Sequence, residues 1–169
     1  ILNKGKVYKM YLDEYKRWLA ADLEDADLKP ELAKEHITLK SSCRKGCCMM
    51  DIDLFQSLII NIIDNARKAI DDNGLIHVAG TVRDDNYVII IKDNGRGMPP
   101  EEITRISEAF YRIDKSRSRA QGGAGLGLAI CSKIAEIHQA KIKYKSAVGR
   151  GTVVTITLPN ICLLYTSPS

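Results

Sequence analysis

The sequence predicts a two-layer α/β sandwich, in which one mixed sheet carries its helices on a single face. Three observations point there. Strand-like and helix-like segments alternate in groups rather than one by one. One long segment, Asp51–Ile70, has a single apolar stripe, as a helix lying on a sheet needs. Two pairs of β-branched runs are joined by short turns. At 169 residues with 45% apolar composition, the chain is long enough for one compact domain with a real core. It opens on Ile1 rather than Met and is expected to be a piece of something longer.

Along the chain, Tyr8 to Glu35 reads as mostly helical, with Tyr11, Tyr15, Trp18, Leu19 and Leu23 at intervals of three and four. Pro30 interrupts this run, although a new helical turn can begin there. His36–Lys40 alternates like a strand, and a second strand near Gly46–Met50 follows the Arg44-Lys45-Gly46 turn. Asp51 or Asp53 caps the long helix, whose stripe is Leu54, Leu58, Ile62, Ala66 and Ile70. Asp72-Asn73-Gly74 ends it. Leu75–Val82 and Asn86–Lys92 form a hairpin around Arg83-Asp84-Asp85. Pro99-Pro100 starts a short helix, Glu101–Glu108, and Tyr111–Gly123 reads as a mobile loop. Ala124–His138 is an amphipathic helix, followed by strands Ala140–Ser146 and Thr152–Leu158 around Val148-Gly149-Arg150-Gly151. The domain reading is a helical linker or first-helix extension over 1–22, the main domain over 23–159 and a disordered or foreign tail over 160–169.

Composition excludes some functions. The 25 basic and 21 acidic residues are spread along the sequence, so the net +4 reads as a solvated, mildly basic surface and gives no argument for nucleic acid. The longest apolar runs are far too short to span a bilayer, and neither a signal peptide nor a membrane contact by this domain is expected. The cysteines, Cys43, Cys47, Cys48, Cys131 and Cys162, are odd in number and irregularly spaced, which suits reduced thiols better than a disulfide framework. His36 and His77 are poorly placed to complete a zinc site with the first three, and Cys131 reads as a small buried hydrophobe. His138 reads as a helix-end residue, His36 and His77 as strand-flanking ones.

Four blocks carry the chemistry. Asn61 and Asn65 lie one helical turn apart, so both amides project from one face, with Lys68 a further turn along. Amides on an otherwise apolar helix are costly unless partnered, and their oxygens suit Mg²⁺. Asp93 ends a buried strand, where a carboxylate can accept from the exocyclic amine of adenine, and Gly95 and Gly97 permit close backbone approach. Gly123-Ala124-Gly125-Leu126-Gly127 precedes a helix but follows no βαβ strand and lacks a Walker ending. What remains is a flexible segment bringing N–H groups to phosphate oxygens. Arg112, Lys115, Arg117 and Arg119 cluster before it, Arg112 and Lys115 being the candidate phosphate ligands. The bland alternatives are core asparagines, a plain turn and a solvated basic loop. Agreement among the blocks favours the ligand reading.

In this order the blocks resemble the N, G1, F, G2 and G3 boxes of the GHKL ATPase superfamily. Within it they are most similar to the catalytic ATP-binding domain of bacterial two-component sensor histidine kinases. Asn61–Ala69, Asp93–Pro99, Glu108–Ser118, Gly123–Ile130 and Gly149–Thr152 carry the likeness, which covers roughly residues 30 to 159. Ala124 departs from a frequent threonine. The resemblance implies a Bergerat-type fold: a mostly antiparallel mixed sheet, about three helices on one face, and a mobile ATP lid. It implies ATP and Mg²⁺ as ligands, Asn65 holding the metal with Asn61 in support, and Asp93 reading adenine. Lys68, Tyr111, Arg112 and Lys115 would close over the nucleotide. Gly123, Gly125 and Gly127 would hinge the lid, while Met98, Leu126 and Thr152 would line the pocket. Relatives that hydrolyse ATP or phosphorylate serine resemble one another in having glutamate at position 61 as general base. Asn61 disfavours those activities and suits transfer to an imidazole, leaving a non-catalytic nucleotide-binding module as the other alternative. The implied partners are the phosphoacceptor domain of the parent kinase and, indirectly, a response regulator. The implied location is cytoplasmic, with the parent membrane-anchored or not. Residues 1–35 contain no histidine, so the acceptor must come from elsewhere.

Overall fold

The computed structural model describes residues 8–11, 28–44, 46–106 and 127–160. Its main sheet has five strands in the order β2-β4-β5-β7-β6. These are β2 (Thr38–Cys43), β4 (Leu75–Arg83), β5 (Asn86–Asp93), β6 (Lys141–Ala147) and β7 (Gly151–Pro159). A separate two-stranded ribbon pairs β1 (Tyr8–Tyr11) with β3 (Cys47–Met50). Helices α1 (Leu28–Lys34), α2 (Ile52–Lys68) and α4 (Gly127–Ile137) contribute buried residues to one core on a single face of the sheet, and α3 (Pro100–Ile103) is one short turn. The two-layer α/β expectation therefore holds, and all pairings in the main sheet are antiparallel except β2 with β4. That parallel pair needs a long crossover, which α2 supplies.

The alternation of burial in β4, β5 and β7 shows why these segments are strands of a half-buried sheet. Inward positions line up across the register: Val78, Ile91, Val154 and Tyr144 form one row, and Gly80, Ile89, Ile156 and Ile142 the next. Gly80 has a steric reason. A Cβ there would strike the hydroxyl of Tyr87, a wholly buried side chain that donates to Arg44 O at 2.8 Å. The β4–β5 turn places Asp84 and Asp85 at φ 50° and 60°, the left-handed pair that matches hairpin twist.

The long helix α2 starts at Asp51, whose Oδ1 accepts from Leu54 N–H at 3.2 Å. Its buried stripe is broader than the sequence spacing implies: Phe55, Leu58, Ile59, Ile62, Ile63 and Ala66. His138 ends α4 and ties it to that start. Its Nε2 accepts Asp51 N–H at 2.9 Å, while Nδ1 donates to Ile134 O at 2.7 Å, which assigns the proton to Nδ1. The imidazole is buried against Phe55, with ring centroids 5.8 Å apart.

Several expectations are corrected. Tyr8–Tyr11 is a strand, because β3 offers it a complete antiparallel partner some forty residues away, which outweighs the helical spacing of its aromatics. Of the expected helical run, Leu28–Lys34 is helix α1, with Pro30 tolerated in its first turn, and residues 12–27 lie outside the described ones. The first strand of the main sheet starts at Thr38, since His36 takes a left-handed φ of 53° to terminate α1. His77 sits inside β4 rather than flanking it. Of the expected helix Glu101–Glu108, Pro100–Ile103 is helical and Thr104–Ile106 a turn, and residues 107–126 are outside the described ones. Asn160, assigned to the tail, is buried and donates its backbone amide to Asp85 O at 3.0 Å. Cys43, Cys48 and Cys131 are buried, and burial pushes the thiol pKa of both Cys48 and Cys131 up to about 12.

Candidate nucleotide site

At one end of the sheet the inward-facing residues change from apolar to polar. Asp93 ends β5, and Ser146 of β6 faces Thr152 of β7, all on the helix side. Asp93 is 6% exposed, and its Oδ1 accepts from Gly95 N–H at 2.8 Å and Thr152 N–H at 3.3 Å. Both amides go to one oxygen, which leaves Oδ2 as the second acceptor. Burial raises the Asp93 pKa above the ordinary carboxylate value, and the two backbone amides partly oppose that rise.

The loop after β5 is fastened on both sides. Arg96 donates its amide to Ala69 O at 2.9 Å and its guanidinium to Lys68 O at 3.1 Å, clamping the loop to the end of α2. Its own carbonyl accepts Gly149 N–H at 2.7 Å from the β6–β7 turn. Gly97 has φ 68°, and a Cβ there would strike Ala147 O, so this position requires glycine. Met98 N–H then donates to Ser146 Oγ at 2.8 Å. The same hydroxyl lies 2.9 Å from both Gly151 O and Thr152 Oγ1. Ser146 is thus the joint between the loop and the last strand. Sequence reasoning missed it, since an isolated strand serine carries no local signal.

Opposite this end stands the polar face of α2. Asn61 donates Nδ2 to Ser57 O at 2.8 Å. Asn65 Nδ2 is buried and has no hydrogen-bond partner, a costly arrangement for an amide. Gly127 opens α4 directly against this pair: a Cβ there would lie 3.2 Å from Asn61 Oδ1 and 4.0 Å from Asn65 Nδ2. The first and last blocks of the sequence therefore meet in space. Lys68 is held by Asp64 at 2.9 Å, and Arg67 pairs with Asp64 at 2.9 Å and Glu35 at 2.8 Å. Desolvation opposes the guanidinium charge, but both carboxylates outweigh it and the Arg67 pKa is raised. Of the expected site residues, Asn61, Asn65, Lys68, Asp93, Gly95, Gly97, Met98, Gly127 and Thr152 are described. Tyr111, Arg112, Lys115, Gly123, Gly125 and Leu126 lie outside the described residues.

An Mg²⁺ ion fits this donor set by one observation. The orphaned Asn65 amide needs a partner, and a half-turn about its terminal bond exchanges Nδ2 for an oxygen of the kind Mg²⁺ prefers. Among the described residues no cluster of three or more His, Cys, Asp or Glu side chains could hold a metal. A metal here would depend on amide oxygens and on oxygens brought by the ligand.

The fold is a Bergerat-type two-layer sandwich, with the polar cluster at one end of its sheet. Residues 50–161 match the family described as histidine kinase-, DNA gyrase B- and HSP90-like ATPase, and the chain belongs to that family. It is 35% identical over 117 residues to the sensor protein SrrB of Staphylococcus aureus strain NCTC 8325, an alignment covering 69% of this chain and 20% of SrrB. The chain thus spans about a fifth of the curated relatives it matches. The catalytic domain of the histidine kinase ThkA shares the fold with a TM-score of 0.74 at 23% identity, over 91% of this chain and 95% of that one. A mycobacterial sensor histidine kinase, MprB, gives 0.72 at 23% identity, over 91% and 97%. Full-length ShkA in complex with AMPPNP gives 0.77 at 21% identity, over 92% and 31%. The homologues are sensor histidine kinases, and the GHKL catalytic-domain resemblance read from the boxes is correct.

Proposed function

We propose that this domain binds Mg-ATP and donates its γ-phosphoryl group to a histidine on a separate phosphoacceptor domain. The observation that carries the reading is the unpartnered, buried Asn65 amide set against Gly127, one turn from an asparagine rather than a glutamate at position 61. Asp93 Oδ2 would accept from the adenine amine, with Met98 and Thr152 beside it. Asn65, supported by Asn61, would hold Mg²⁺, which when bound supplies neutralisation of phosphate charge.

Asn61 takes no proton at neutral pH, so it cannot activate water or a serine hydroxyl. A neutral imidazole nitrogen needs no such base. It forms the new bond to the γ-phosphorus as the bond to the β–γ bridging oxygen breaks and ADP leaves. This chain's part is to orient the nucleotide and exclude water, and we assign Lys68, Tyr111, Arg112 and Lys115 to closure over the phosphates, Gly123, Gly125 and Gly127 to the hinge, and Leu126 to the pocket lining. Residues 23–159 make up the nucleotide domain in this reading, with a response regulator as the downstream partner and the cytoplasm as its location.

Incubating the chain with γ-labelled ATP and a histidine-bearing hairpin domain tests the proposal. Label on that histidine is the expected result. Phosphate release without an acceptor would instead identify a hydrolase, and neither outcome a non-catalytic binding module. Asn65→Ala is expected to abolish most of the Mg²⁺ dependence of ATP-analogue binding in calorimetry. Unchanged metal dependence would remove Asn65 from the site.

A further inference from the structure

The lysines that look scattered in the sequence converge on the outer face of the main sheet. In each strand the residues alternating with the core positions point away from the helices. The register places Lys40, His77, Lys92, Val153 and Lys145 in one row across all five strands. The next row is Ser42, Ala79, Ile90, Thr155 and Lys143, and the third runs from Thr81 through Val88 and Thr157 to Lys141. All five of these lysines are exposed, and none makes an ion pair among the described residues. No Asp or Glu projects outward from any of the five strands. Arg83 also points outward, beside Asp84 and Asp85 of the hairpin turn, which offset it. The five lysines more than account for the formal net charge of +4, so the rest of the chain is close to neutral.

Spacing gives this face its character. Lys141, Lys143 and Lys145 recur at about 7 Å along β6, and Lys145, Lys92 and Lys40 step across the sheet at about 10 Å, two strand separations each. Between them lie small or half-buried side chains, Ser42, Ala79, Thr81, Ile90, Val153, Thr155 and Thr157, together with His77 and the buried Val88. No Phe, Tyr or Trp projects outward to stack on a base, the His77 ring is engaged by Ser42 Oγ at 3.1 Å, and the one outward arginine, Arg83, stands at the hairpin end rather than among the lysines. A nucleic acid is therefore poorly served. Mobile point charges spread over a broad, wedge-free face suit a laterally fluid anionic surface.

We propose that the outer face of the sheet adsorbs to anionic phospholipid headgroups, without insertion into the hydrocarbon. The site and its helices lie on the opposite face, so adsorption leaves the nucleotide end open. Composition alone argues against membrane contact, because it cannot register that the charges share a face.

The test is cosedimentation of the whole chain with vesicles of phosphatidylcholine, with and without phosphatidylserine. Binding is expected only with phosphatidylserine, and to weaken steeply as salt rises from 50 to 300 mM. Lys143→Gln should lower the partition coefficient about fivefold, and the triple change Lys141→Gln, Lys143→Gln, Lys145→Gln about a hundredfold. Lys133→Gln, on the exposed side of α4, should change it less than about twofold. Circular dichroism of each variant checks the fold. Equal binding to neutral vesicles, no binding to anionic ones, insensitivity to the triple change, or tight binding to a DNA duplex with vesicles left unbound would each overturn the proposal.

Discussion

The two faces of the main sheet are built from the same five strands and read almost as two proteins. The inner face carries Ile76, Val78, Ile89, Ile91, Val154, Ile156 and Leu158, all buried, and ends in Asp93, Thr152 and Ser146. The outer face carries lysines, threonines and a few aliphatics, half-buried except for the buried Val88. Adjacent residues therefore have unrelated roles: Ile89 is 1% exposed while its neighbour Ile90 faces outward between Ala79 and Thr155. What separates them is only the period-two pleat. A side chain's chemistry here is decided by parity before it is decided by type.

The sharpest way to break that comparison is to truncate the two neighbours separately. Ile89→Ala is expected to cost about 3 kcal/mol in urea denaturation, through lost burial and an unfilled cavity. Ile90→Ala should cost less than about 1 kcal/mol, because solvent already reaches its site. Equal losses would mean the outer face is packed by something and is not a free surface.

Asp93→Asn probes the polar end of the inner face and is expected to act in two directions. Adenine-nucleotide affinity should fall by roughly 1–3 kcal/mol, since an amide N–H would meet the adenine amine where Oδ2 stands. Stability should move the other way. Burial makes the folded state hold the Asp93 proton more tightly than the unfolded chain does. The residue's contribution to stability is therefore best below the ordinary carboxylate pKa and is lost as pH rises through the raised folded value. The substituted amide cannot ionise, so the variant should gain on the parent at pH 7 and lose that gain near pH 3. A pH-independent difference in melting would show that the carboxylate is not strained by burial.

A smaller effect than at Asp93 is expected at Ser146. Removing its hydroxyl in Ser146→Ala strips Met98 N–H of its acceptor and should cost about 1 kcal/mol in stability. Nucleotide affinity should fall several-fold with it, as Met98 and Thr152 lose their shared anchor. Affinity unchanged beside that stability loss would make the joint purely structural.

Local signals are legible where the physics is local. The cap at Asp51, the one-turn spacing of Asn61 and Asn65 and the hairpin at Asp84-Asp85 depend on residues within a few positions of one another, and each stands where the sequence places it. The strand at Tyr8–Tyr11 escapes such reading because its partner, Cys47–Met50, is remote and leaves no local trace. His138 shows a mixed outcome. It is the helix-end residue that its position suggests, but its bond to Asp51 N–H spans 87 residues and leaves no local trace. The lysines illustrate the same limit for charge.

From its own residues the sequence determined the layer type, the order of the helices and strands from α1 onward, and the four chemical blocks with their kinase-like asparagine at position 61. Periodicity, capping and motif spacing are short-range properties, so one chain suffices to read them. Only the tertiary structure decided that Gly127 meets Asn61 and Asn65, that Ser146 joins Met98 to Thr152, and that five lysines share a face. Each of those follows from packing or strand register, which sets distant residues side by side, and a shift of one position in register would send every such side chain to the opposite layer.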